Sequence, residues 1–161
     1  MHGPEHHVMV GAALLTAYKN AGGVLDLETA LQEMYSRGKA VPGGACGFWG
    51  ACGAGISAGQ FLAIATESTP LAQEPWGLSN QMTGRALDSI GKVGGPRCCK
   101  RDSFLSILAA VDFAREHLGG VHDADRPRLY LSKAEQPVHW QTLPLCTHQP
   151  QTPQGGLPLR P

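Results

Sequence analysis

The sequence predicts an all-α fold: a compact bundle of about five helices joined by glycine-rich loops, followed by an irregular, proline-rich tail. Three observations carry that reading. Apolar residues recur at helical spacing in five stretches, and glycine or proline separates each stretch from the next. Seven of the twelve prolines then fall between Arg126 and Pro161, where a packed helix cannot continue.

Pro4 suits the first turn of a helix running to about Asn20, with Val8, Ala12, Leu14 and Leu15 as its apolar stripe and Gly22-Gly23 as its stop. Asp26 is placed to cap a second helix through about Arg37, with Leu27, Ala30, Leu31 and Met34 inward and Gly38 as terminator. From about Ala54 to Thr66 a third helix carries Ile56, Phe61, Leu62 and Ile64. It lies in an uncharged run from Ala40 to Thr66, so it is expected to be enclosed on most sides. Trp76, Leu78, Met82, Ala86 and Ile90 mark a fourth helix closed by Gly91 or Gly94-Gly95. The fifth follows Pro96, with Phe104, Leu105, Leu108, Val111 and Leu118 as its core face, and stops at Gly119-Gly120.

Residues 1–120 therefore form a helical domain large enough to bury a core, and residues 121–161 an irregular, partly disordered tail. Leu129-Tyr130-Leu131 and Val138-His139-Trp140 are its only strand-like pieces. The formal net charge is zero and the charged fraction is 16%, against a usual value of roughly 25%, which argues against a nucleic-acid-binding face. The uncharged run is long enough for a membrane span, and Gly55 with Gly59 has small-xxx-small spacing, but Pro42 and the glycines that follow break its first half. No membrane segment is expected. An odd count of five cysteines, and an N-terminus without a basic start or leading apolar core, predict reduced thiols in a cytoplasmic protein.

Four of those cysteines sit in two short glycine-rich elements. Cys98 and Cys99 fall in the first turn of the fifth helix if Pro96 starts it. There the helix dipole, together with Arg97, Lys100 and Arg101, favours thiolates, and Cys98 or Cys99 becomes a candidate nucleophile or redox pair. The plain alternative is a core cysteine beside solvated basic residues. Cys46 and Cys52 are separated by five residues, wider than the two to four of a zinc knuckle. Gly44, Gly47, Gly50 and Gly53 allow close backbone approach to a ligand, while Trp49, with Phe48, is expected to shield it from water. Cys46, Cys52, Cys98 and Cys99 together supply enough thiolates for an iron–sulfur cluster or another thiophilic metal; a tight glycine-mediated helix contact explains the same loop without one.

His2-Gly3-Pro4-Glu5-His6 matches the letters of an inverted zinc-protease motif, yet Gly3-Pro4 puts the helix start between the two histidines, so they do not share a helical face. Glu5, His6 and His7 remain candidates for moving protons or donating nitrogen to the thiol site. Cys146, near His148 in the tail, has no local partner that positions it.

The combination of His2-Gly3-Pro4-Glu5-His6-His7, the run from Pro42 to Ala54, Trp76-Gly77-Leu78, and the run from Gly94 to Asp102 resembles an uncharacterised bacterial and archaeal domain family of unknown function, mostly from anaerobes. The likeness covers about residues 1 to 118. It implies that the motifs form one site, and it implies no activity. The resemblance implies that members often carry a cysteine-rich segment ahead of the histidine motif or are joined to enzyme domains, so a chain that starts at the motif is expected either to lack that segment, to work alone, or to work with a separate partner enzyme. The leading expectation is a metal or iron–sulfur site with redox, sulfur-transfer or lyase chemistry on a small-molecule substrate. Its rivals are a metal-free thiol enzyme using Cys98 or Cys99, and a small-ligand-binding accessory module. Convergence of Cys46 and Cys52 with Cys98 or Cys99 would favour metal; a fold that separates the two motifs would remove it.

Overall fold

The computed structural model describes residues 3–118, and over them the chain is all α-helical. The tail with its two strand-like pieces, Cys146, His2 and the Gly119-Gly120 stop lie outside the described residues. Six helices run in order: α1 (His6–Asn20), α2 (Leu27–Ala40), α3 (Ala45–Phe48), α4 (Gly53–Ala65), α5 (Glu74–Val93) and α6 (Cys99–His117). The additional one, α3, is a single turn inside the cysteine loop. It starts at Gly44, whose φ of 88° is open to glycine and costly for a residue with a Cβ.

The remaining ends follow local chemistry. Asp26 caps α2 by accepting from the Thr29 backbone N–H at 2.8 Å. Pro75 sits in the first turn of α5, where its missing N–H costs nothing. Two expected boundaries move. Gly38 does not terminate α2 but lies inside it, buried against the His7 carbonyl and Val8, because α1 crosses there too closely for a side chain. The last helix begins at Cys99 rather than at Pro96, with Cys98 in extended backbone as its N-cap.

The helix α4 is central, packed against α1, α2, α5 and α6, and this enclosure accounts for its lack of charge. Leu14, Leu15, Met34, Phe61, Leu62, Met82 and Phe113 build the core around it. Gly55 and Gly59 act as close-packing points toward Leu87 and Thr83 of α5. Of the buried polar groups on this helix, the Ser57 hydroxyl accepts from the Gly11 N–H of α1 at 2.8 Å, whereas Gln60 Oε1 is buried without a hydrogen-bond partner among the described residues.

Several expected core faces are rotated. α6 buries Asp102, Ser103, Ser106, Ala109, Ala110 and Phe113, leaving Leu108 57% exposed. Small side chains let α6 approach α4 and α5 closely, and the Ser106 hydroxyl can be buried because it donates to the Asp102 carbonyl at 2.8 Å. In α1 the inward residues are His7, Val10, Gly11, Leu14 and Leu15, with Val8 and Ala12 half-buried; in α5 they are Ser79, Met82 and Ala86, with Trp76 exposed. No helix among the described residues is long and apolar enough to cross a membrane.

Candidate functional site

The N-terminal ends of α1, α4 and α6 converge on one cavity of about 320 Å³. His6 and His7 reach it from α1, Gly43, Gly44 and Cys46 from the loop and α3, Cys52, Gly53 and Ala54 from the start of α4, and Arg97, Cys99 and Asp102 from the start of α6. Residues more than forty positions apart in the chain thus share a wall. Helix N-termini carry partial positive charge and unpaired N–H groups, so this end of the bundle favours a bound anion. Arg97 adds a full positive charge at the rim and makes no ion pair among the described residues.

Each imidazole is held by its Nδ1. His7 Nδ1 lies 3.0 Å from the Val41 carbonyl oxygen, and the ring rests against Gly53, where any Cβ would overlap it. His6 Nδ1 lies 3.0 Å from Ser103 Oγ, which itself donates to the Cys99 carbonyl at 2.7 Å.

The Cys52 thiol donates to Asp102 Oδ2 at 3.8 Å. Burial raises the Cys52 pKa above the ordinary thiol range, with a further push from the charge of Asp102; the backbone N–H groups of Ala54 and Gly55 pull it down without reversing the result. Cys52 is therefore a neutral thiol at neutral pH. Arg101 holds the opposite oxygen of Asp102, its Nε 3.0 Å from Oδ1, and donates through Nη2 to the Gly94 carbonyl at 2.8 Å. Cys46, Cys52, Cys98 and Cys99 form no disulfide. Among the described residues, no three His, Cys, Asp or Glu side chains are gathered closely enough to hold a metal ion as they stand.

Some expected site residues fall elsewhere. Cys98 does not line the cavity; it lies in extended backbone as the N-cap of the helix that starts at Cys99. Trp49 and Phe48 are 66% and 89% exposed and do not line the cavity, though the Phe48 ring lies close to Gly44, which does. Gly47 and Gly50 face open space rather than the cavity, and the Glu5 side chain folds back over Gly3. Of the glycines expected to approach a ligand, Gly44 and Gly53 do line the cavity.

Asp102 and Ser103 are the residues that sequence reading missed. Their mark was available: Asp102 stands three residues after Cys99, on the same helical face, at the head of the stripe that continues through Ser106, Ala109, Ala110 and Phe113. A carboxylate leading a buried stripe needs a partner.

The chain belongs to a family of unknown function (DUF5714), whose profile matches residues 1–128. Every residue of the cavity falls within that match. No curated protein and no solved structure matches the chain.

Proposed function

We propose that this domain binds a thiophilic metal ion or cluster in the cavity at the helix N-termini, with Cys46, Cys52 and Cys99 as sulfur donors. One observation supports it above the others: three cysteines and two histidines, drawn from three of the four motif regions, border the same space. Thiolates and their metal complexes carry negative charge, which the three helix ends and Arg97 oppose. The cysteines must turn on their Cα–Cβ bonds to meet a common ion, because no three donors stand at ligand spacing. Cys98 leaves the proposed donor set. Redox, sulfur-transfer or lyase chemistry at an open metal position fits a site of this kind.

The full chain, purified without oxygen, should contain metal in stoichiometric amount, measured by elemental analysis and acid-labile sulfide. A correctly folded protein without metal, and unable to take any up, would sink the proposal.

A second reading, a metal-free thiol enzyme using Cys98 or Cys99, is favoured by Cys99, which lines the cavity in the first turn of α6 together with Arg97. In that case Arg97 holds an anionic substrate, and one cysteine should be alkylated rapidly by iodoacetamide at neutral pH without release of metal.

A further inference from the structure

Cys46 and Cys52 stand at the two ends of a loop that the backbone closes and the core leaves unpacked. The Ala45 carbonyl accepts from the Trp49 N–H at 2.8 Å and from the Ala51 N–H at 3.5 Å, so the residues just before each cysteine are joined. Both thiols border the same cavity, and Cys46 is near enough for its charge to bear on Cys52. Little packing opposes movement between them: Phe48 and Trp49 are exposed, and Gly47 and Gly50 have open space where a Cβ would stand. A short closed loop of this kind suits a disulfide, whose Cα atoms must approach within about 7 Å. Cys52 also has a proton acceptor in place, because its S–H donates to Asp102 Oδ2 while Arg101 holds Oδ1.

We propose that Cys46 and Cys52 are a reversible dithiol–disulfide pair, oxidised by a low-molecular-weight disulfide, with Asp102 taking up the Cys52 proton. The proposal goes beyond the metal-binding reading and requires no metal. In the first step Cys46 loses its proton to water and attacks one sulfur of the small disulfide. That S–S bond breaks, a mixed disulfide forms on Cys46, and the departing small thiolate is protonated by water. In the second step Cys52 passes its proton to Asp102 Oδ2 and attacks the Cys46 sulfur. The second small thiolate leaves and takes up a proton, as Asp102 returns one to water. Two electrons and two protons have then passed from the cysteines to the small disulfide, giving two small thiols and a Cys46–Cys52 bond. That bond ties α3 to the start of α4 and withdraws two of the three sulfurs that line the cavity. An excess of small thiol reverses both steps.

The test exposes the reduced, metal-free full chain to glutathione disulfide, quenches with iodoacetamide, and maps the tryptic peptides by mass spectrometry. Residues 40–85 form one tryptic peptide whose only cysteines are Cys46 and Cys52. The internal disulfide therefore shows as that peptide escaping alkylation and weighing two hydrogens less, and dithiothreitol should restore it. Cys52→Ser should stop at a glutathione mixed disulfide on Cys46. Asp102→Asn should slow closure of the mixed disulfide by about 10-fold or more, even though it removes a charge that keeps Cys52 protonated. Closure as fast as in the wild type, or faster, would overturn the role given to Asp102. The wild-type arm needs no variant to fold: if residues 40–85 are alkylated twice, carry glutathione without closing, or are joined to the peptide holding Cys98 and Cys99, the pair is overturned and the metal reading stands untouched.

Discussion

The Cys52 thiol at the start of α4 donates to Asp102 Oδ2 in the first turn of α6, across 3.8 Å. Arg101 occupies the other carboxyl oxygen, so a buried carboxylate, 3% exposed, is held between a cation and a thiol. A residue with no sulfur of its own thereby helps to decide whether a neighbouring sulfur is protonated. A cation entering the cavity would change that balance, because it favours thiolate where Asp102 favours thiol.

The first prediction concerns pH. The raised Cys52 pKa, caused by burial first and by Asp102 second, means that the folded chain keeps this proton to higher pH than the unfolded chain does. Between the ordinary thiol pKa and the raised one the unfolded state binds fewer protons, so stability is fully present below that window and falls as pH rises through it. Urea unfolding of wild type and Cys52→Ala, from about pH 7 to about pH 10, should show the wild type losing stability more steeply. Parallel curves would mean that Cys52 titrates as an exposed thiol.

Removing the cation from Asp102 should be costly. Arg101→Met leaves a buried carboxylate without its ion-pair partner and should destabilise the fold by about 3 kcal/mol, while adding Asp102→Asn should recover part of that loss. Urea midpoints for the single and double variants measure it. A double variant no more stable than Arg101→Met alone would show that the pair is not the source of the cost.

Helix existence was legible in the sequence because glycine and proline punctuate it clearly, and Asp26 capped α2 as its residue type demanded. Helix orientation was less so. Reading Phe104 and Leu108 as core followed from size, whereas α6 packs through Ser106, Ala109 and Ala110, and only the neighbouring helices determine that small residues belong inside. The cysteine motifs announced a site, and its position at three helix N-termini depends on tertiary convergence that no local pattern encodes. Asp102 was hidden for a related reason: in sequence it reads as one charge in a run of charges.

Glycine in the middle of an exposed helix should be a weak point. Gly84 lies exposed within α5, and a Cβ there meets open space, so Gly84→Ala should stabilise the fold by roughly 0.5–1 kcal/mol through lower unfolded-state entropy. Thermal and urea unfolding test this directly, and a loss of stability would place an unseen contact at that position.

Gly47 and Gly53 look alike in the sequence, each following a cysteine in the same motif, but their surroundings give opposite expectations. A Cβ on Gly47 meets nothing, whereas one on Gly53 would overlap the His7 ring. That ring cannot easily yield, since His7 is buried and tied to the Val41 carbonyl. Gly47→Ala should therefore leave stability almost unchanged, while Gly53→Ala should cost about 1–3 kcal/mol by forced repacking. Unfolding midpoints give the energies, and the His7 nitrogen-15 shifts show whether the ring has turned. If Gly53→Ala is as stable as Gly47→Ala and His7 is unmoved, the close seating of the imidazole on the start of α4 is wrong.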